Sequence, residues 1–233
     1  MGEPVHGEPQ QPMPKPLQPY IKTIMDFQNS CHKLCQRILE HFAVALDIDK
    51  DWFTSRHDQD QGPTGTVFRL LYYPKVEGID DIDIRAGAHS DYGSITLLFQ
   101  LPGQPGLEIK TPSGEWAAVP VDPTAVSASS GSNGHAQKAL PILVNIGDLL
   151  EDWTGGLLKS TKHRVIFPKG ESADRYSIAY FCHPLDDARL EPVPSKVVED
   201  HAAKTGRQGR ADGGVITAKD HLMERLAATY KVD

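Results

Sequence analysis

Between Thr66 and Cys182 the chain is cut into short β-prone runs by glycine, proline and polar turn residues, and this pattern restricts it to a folded-over sheet structure. Residues 66–73 are rich in branched and aromatic side chains and stop at Pro74, which cannot donate to a strand ladder. Further strands are expected at 88–91, 94–100, 142–146, 163–167 and 176–182. Residues 106–110 and 115–119 read as a hairpin closed through Pro112, Ser113 and Gly114. Gly147 and Asp148 turn the chain into a short helix at 149–153. The expected class is mainly β with flanking α-helices, a sandwich or barrel of jelly-roll type.

The flanks read differently. Residues 1–21, with Pro4, Pro9, Pro12, Pro14, Pro16 and Pro19, predict a flexible extended arm. Ile24, Phe27, Cys31, Leu34, Ile38, Phe42 and Leu46 recur at three- and four-residue steps, the signature of one long amphipathic helix within a 22–61 segment. The β core is expected over 62–190, interrupted by a flexible low-complexity insertion at 127–138. A C-terminal unit, 191–233, holds a polar loop at 205–214 and a last helix from 218 to 230. That helix has Thr217 as N-cap, Asp220 in its first turn, and an apolar stripe of Leu222, Leu226 and Tyr230.

Composition narrows the function classes. A net charge of −7 argues against a nucleic-acid binder, which would carry a basic face. No apolar run can span a bilayer, and the first 20 residues lack the hydrophobic segment of a secretory signal. Cys31, Cys35 and Cys182 are too few for a disulfide framework, and Cys31 and Cys35 read as small buried helix residues. A reducing, cytoplasmic setting fits.

The chemistry concentrates in two places. His89 and Asp91 stand two apart, so on a strand they share a face. A second histidine from another strand, with His163 the candidate, completes a two-histidine, one-carboxylate set that leaves three metal positions open, the arrangement of non-heme Fe(II) and oxygen chemistry. Arg175 and Ser177 are again two apart and can grip a carboxylate, the arginine through its planar fork. Tyr73, at a strand end, offers another hydroxyl. Arg69 shares the face of Tyr73 and is a candidate substrate anchor, and Phe181 continues the face of Arg175 and Ser177 toward a substrate cavity. Trp116 and Trp153 read as core aromatics, and His183, before Pro184, as a structural or surface residue.

These motifs resemble a known family. The run from His89 to Leu98, then Gly106-Leu107-Glu108, Gly114-Glu115-Trp116, the stretch Val144 to Asp148, the stretch Lys159 to Val165 and the stretch Arg175 to Phe181 look, in order, like the motifs of the 2-oxoglutarate and Fe(II)-dependent dioxygenases related to isopenicillin N synthase. The resemblance implies a double-stranded β-helix with iron held by His89, Asp91 and His163. It also implies 2-oxoglutarate bound by Arg175 and Ser177 with help from Tyr73, and O₂ as the oxidant. The implied reaction is hydroxylation, desaturation or ring closure of a small organic molecule, such as a secondary metabolite, with release of succinate and CO₂. An iron oxidase that uses no 2-oxoglutarate and a non-catalytic relative are the alternatives. Family members carry a substantial region ahead of the long helix, so this chain is expected to be N-terminally shortened. The resemblance says nothing of oligomeric state.

Overall fold

The long amphipathic helix forms as its periodicity predicts. In the computed structural model, which describes residues 11–75, 83–122, 140–167, 173–206 and 215–229, it is α1, Ile21–Ala45, with Cys31, Cys35, Leu39 and Ala43 buried. Its C-terminus closes in a Schellman arrangement. Asp47 adopts a left-handed φ of 55°, while the Asp47 N–H donates to Val44 O at 3.1 Å and the Ile48 N–H to Ala43 O at 3.1 Å. The extended arm expected ahead of α1 needs correcting in its described part. Lys15–Tyr20 form 3₁₀ turns, because Pro16 at the start of a helix sacrifices no N–H that would otherwise be bonded.

Among the described residues, eight strands follow as two antiparallel four-stranded sheets. In chain order they are β1 Val67–Tyr73, β2 Asp83–His89, β3 Ile95–Gln100, β4 Leu107–Lys110, β5 Trp116–Ala118, β6 Leu143–Ile146, β7 His163–Phe167 and β8 Arg175–Cys182. The first sheet has the order β1-β8-β3-β6 and the second β2-β7-β4-β5, a jelly roll. Helix α2, Asp148–Trp153, follows β6, and α3, Lys196–Thr205, and α4, Ala218–Thr229, close the described chain.

The outer face of the first sheet packs on α1. Phe27 reaches Phe68 and Phe99 with ring centroids 5.9 and 5.0 Å apart, and Tyr180, Leu97 and Ile95 are buried beside them. Trp153 from α2 joins this core against Trp52 and Phe53 at 5.5 and 5.8 Å, as expected of a core aromatic. Trp116 does not: it is half-buried and carries the Arg164 guanidinium over its ring at 4.3 Å. The main hydrophobic core therefore lies behind the first sheet, and the space between the sheets is left for chemistry.

Other departures are local. The strand expected at 88–91 begins earlier, at Asp83, and ends at His89. Helix α3 has no counterpart among the sequence-based expectations; Ser195 caps it by accepting the Val198 N–H, and Val198 is its one buried residue. Thr217 caps α4 as expected, and Asp220 returns the bond to make the cap reciprocal, with Thr217 N–H to Asp220 Oδ2 at 3.1 Å and Asp220 N–H to Thr217 Oγ1 at 3.2 Å. The buried residues of α4 are Ala218 and His221, however, with Leu222 and Leu226 half-buried. The insertion at 127–138, the loop at 207–214 and Tyr230 lie outside the described residues.

Candidate active site

His89 and His163 are cross-strand partners at the ends of β2 and β7. Their rings lie 4.4 Å apart between centroids at 57°. Strict alternation would not place His89 there. Ala86 faces the inside opposite Val165, and three residues further on an unbulged strand would point outward. The register shifts between Ala86 and His89, so one extra residue on β2 returns His89 to the inner face. The Nδ1–H of His89 then donates to Gly87 O at 2.7 Å, and that of His163 to Thr161 O at 3.1 Å. With Nδ1 committed as a donor, each ring offers its Nε2 lone pair.

Asp91 is not on the strand, contrary to the expectation that it shares a strand face with His89. It stands in the turn after β2, because the start of α2 grips that turn. The Asp148 N–H donates to Asp91 O at 2.8 Å, the Leu149 N–H to Gly93 O at 3.2 Å, and the Gly147 N–H to Ser94 O at 2.9 Å. The approach requires glycine at position 147, where a Cβ would fall 2.2 Å from Gly93 O. The buried Asp91 carboxylate accepts the Asn145 side-chain amide on Oδ2 at 2.7 Å and places Oδ1 3.6 Å from His163 Nε2. One donor atom from each of His89, Asp91 and His163 lies within 4.8 Å of the others.

Across the cavity, on the first sheet, Arg175 sits opposite Tyr73 in the β1–β8 register. It is 2 % exposed, its guanidinium lies 5.4 Å from the Tyr73 ring centre, and it donates to Ser177 Oγ at 3.3 Å and Gln100 Oε1 at 3.1 Å. Its Nε is buried without a hydrogen-bond partner, and among the described residues no carboxylate pairs with it. Burial lowers the Arg175 pKa from its usual value, with Tyr73 pulling the other way. A buried cation with an unused donor is a site built for an anion.

The cavity between these groups occupies about 630 Å³ including its open mouth. Its walls are apolar, from Leu71, Leu98, Leu107, Ile109, Leu143 and Val165, and Phe181 borders it. Arg69 is not part of the lining. It is exposed, with its guanidinium 5.5 Å from the Phe181 ring centre. Sequence reasoning gave no role to Asn145, Gln100 or Asp148. Asn145 and Asp148 lie inside a quoted motif, but their partners are 54 and 58 residues away.

Two neutral imidazoles and a carboxylate on one side of a cavity suit an iron(II) ion with exchangeable positions. The orphaned Arg175 donor suits the far carboxylate of a 2-oxo diacid. Fold and site together thus define an oxygenase-type jelly roll. A profile of the 2OG-Fe(II) oxygenase superfamily matches residues 64–184, and the chain belongs to that superfamily. It is 38 % identical over 224 residues to a UPF0676 protein of Schizosaccharomyces pombe, covering 92 % of this chain and 60 % of that one. It is 35 % identical over 193 residues to the 2-oxoglutarate-dependent dioxygenase iboH of Amanita muscaria, covering 80 % of this chain and 83 % of that one. The crystal structure of a full-length Neurospora crassa protein in complex with alpha-KG and thymine superposes with a TM-score of 0.71 at 34 % identity, covering 98 % of this chain and 62 % of that one. The chain spans 55–60 % of the length of three of its curated relatives. No helix among the described residues is long and apolar enough to cross a membrane.

Proposed function

We propose that this protein is a non-heme Fe(II)- and 2-oxoglutarate-dependent dioxygenase acting on a small organic substrate. The carrying observation is one cavity with a His89–Asp91–His163 donor set at one end and the anion-seeking Arg175 at the other. When bound, iron and 2-oxoglutarate supply an O₂-derived oxidant for C–H bonds and yield succinate and CO₂.

The chain's own residues set the conditions. His89 and His163 would present Nε2 to the metal, their tautomers fixed by Gly87 O and Thr161 O. Asp91 would bind through Oδ1 while Asn145 holds Oδ2. Arg175 and Ser177 would take the distal carboxylate of the cosubstrate, with the Tyr73 hydroxyl beside them. The apolar walls exclude water and admit an organic substrate, consistent with the Neurospora crassa protein, which is crystallised with thymine and with 5-formyluracil. Phe181 would border that substrate. The acidic chain offers no footing for nucleic acid, and three free buried cysteines accord with a reducing cytoplasm.

Titrating 2-oxoglutarate into the anaerobic Fe(II) protein is expected to raise a visible charge-transfer band, and admitting O₂ to release succinate. His163→Ala should abolish both. A folded sample that binds no Fe(II) and releases no succinate would overturn the proposal. Substrate oxidation with no 2-oxoglutarate requirement would replace it with an oxidase.

A further inference from the structure

Helix α4 is remote in sequence from the metal-donor residues, yet it reaches the loop that carries Asp91 at two points. The Arg225 guanidinium donates to Asp148 Oδ2, the same oxygen that accepts the Ser90 hydroxyl at 3.1 Å. Asp148 also supplies the backbone N–H that holds Asp91 O at 2.8 Å. One turn further on, Thr229 Oγ1 hydrogen-bonds the Tyr92 hydroxyl, and Arg225 lies 5.7 Å from the Tyr92 ring centre. Ser90 and Tyr92, the two neighbours of Asp91, are thus both tied to α4, directly or through one carboxylate. Between them Asp91 has little freedom to swing.

His221 docks the same helix from below, 2 % exposed, with Nε2 3.5 Å from Asp152 Oδ2 of α2. The Leu222 side chain closes on Gly65, where a Cβ would stand 2.8 Å from it. The helix is therefore seated on the body of the fold, and Arg225 projects from a fixed base. A carboxylate ligand held this way is placed before the metal arrives, and outer partners of metal ligands commonly govern affinity by 10–100-fold.

The geometry points to Arg225 as a positioning residue: through Asp148 it fixes the Ser90–Asp91–Tyr92 loop, and α4 thereby sets the affinity of the metal site. This inference rests on the metal reading proposed above. Mn(II), which resists oxidation, is the probe, titrated into the apo protein and followed by its EPR signal. Wild-type protein is expected to bind Mn(II), and Arg225→Gln to bind it about tenfold more weakly. The Arg225 side chain is 42 % exposed, so the thermal midpoint should fall only slightly. Arg225→Lys should recover part of the affinity. In an Asp148→Asn background, Arg225→Gln should add nothing further, a coupling that general loosening of the fold would not produce.

Unchanged Mn(II) affinity in folded Arg225→Gln overturns the inference, as does full additivity with Asp148→Asn. Should Arg225→Gln not fold, Thr229→Val decides in its place, because it cuts the Tyr92 tie at an exposed position. A weakened site supports the inference and an unchanged one overturns it. Failure of the wild-type protein to bind Mn(II) would instead refute the metal reading itself.

Discussion

Lowering the pH is expected to destabilise this fold through one histidine that the proposed chemistry does not use. His183 follows β8 and is 6 % exposed. Its backbone N–H donates to Thr66 Oγ1 at 3.0 Å, and a Cβ at Gly93 would stand 2.7 Å from its ring. There is no room beside the imidazole for hydrating water. Burial, with the neighbouring His221 and His57, pushes its pKa down to about 3 from 6.5. The unfolded chain takes up a proton below pH 6.5 and the folded chain does not. The stability at stake is therefore whole above pH 6.5, is lost as pH falls toward about 3, and changes little below that. At about 1.36 kcal/mol per unit once the unfolded histidine is mostly protonated, the loss between pH 6.5 and 4.5 is about 2 kcal/mol. For a chain of this size that is a fall of roughly 4–8 °C in thermal midpoint. The assay is thermal unfolding of metal-free protein across this window, wild type against His183→Gln. The variant should start less stable and show a shallower pH dependence by about that amount. Asp200 and Asp220, whose pKa values are lowered by Lys196 and Thr217, act only below the carboxylate range and leave the window clear. Parallel pH profiles for the two proteins would refute the reasoning.

Three further outcomes can be checked directly. Asn145→Leu removes the amide that holds Asp91 Oδ2 and should weaken Mn(II) binding about tenfold in a titration, with circular dichroism unchanged. Gly147→Ala drives a methyl group into Gly93 O and should cost about 3 kcal/mol in urea unfolding. Asp47→Gly relieves a left-handed aspartate at the end of α1 and should gain about 1 kcal/mol in the same measurement, because the Schellman bonds are already made.

What could be read from the sequence follows the range of the interactions. Helix α1 announces itself because seven apolar residues keep one period over a single face. Helix α3 does not, since Val198 is its sole buried residue and Val197 beside it is 42 % exposed. The donor residues were legible as types in order, but their placement was not. His89 faces inward only because of an extra residue on β2, and Asp91 is aimed by a turn clamped to α2. The support by Asn145, Gln100 and Arg225 depends on contacts across 54, 75 and 77 residues, which no local pattern encodes. Trp116 misled for the converse reason: a tryptophan reads as core until a neighbouring arginine is found covering it.

Strand β8 separates two kinds of inheritance. Arg175, Ser177, Ala179 and Phe181 line the cavity, while Ile178, Tyr180 and Cys182, alternating with them, are packed in the core behind the sheet. Selection for a new substrate would act on the odd positions and selection for robustness on the even ones, with neither set trespassing on the other. A library that varies Ala179 and Phe181 alone should therefore yield mostly folded proteins with altered preferences. The same diversity at Ile178 and Tyr180 should yield mostly misfolded ones. Such a strand lets a lineage change its diet without rebuilding its house.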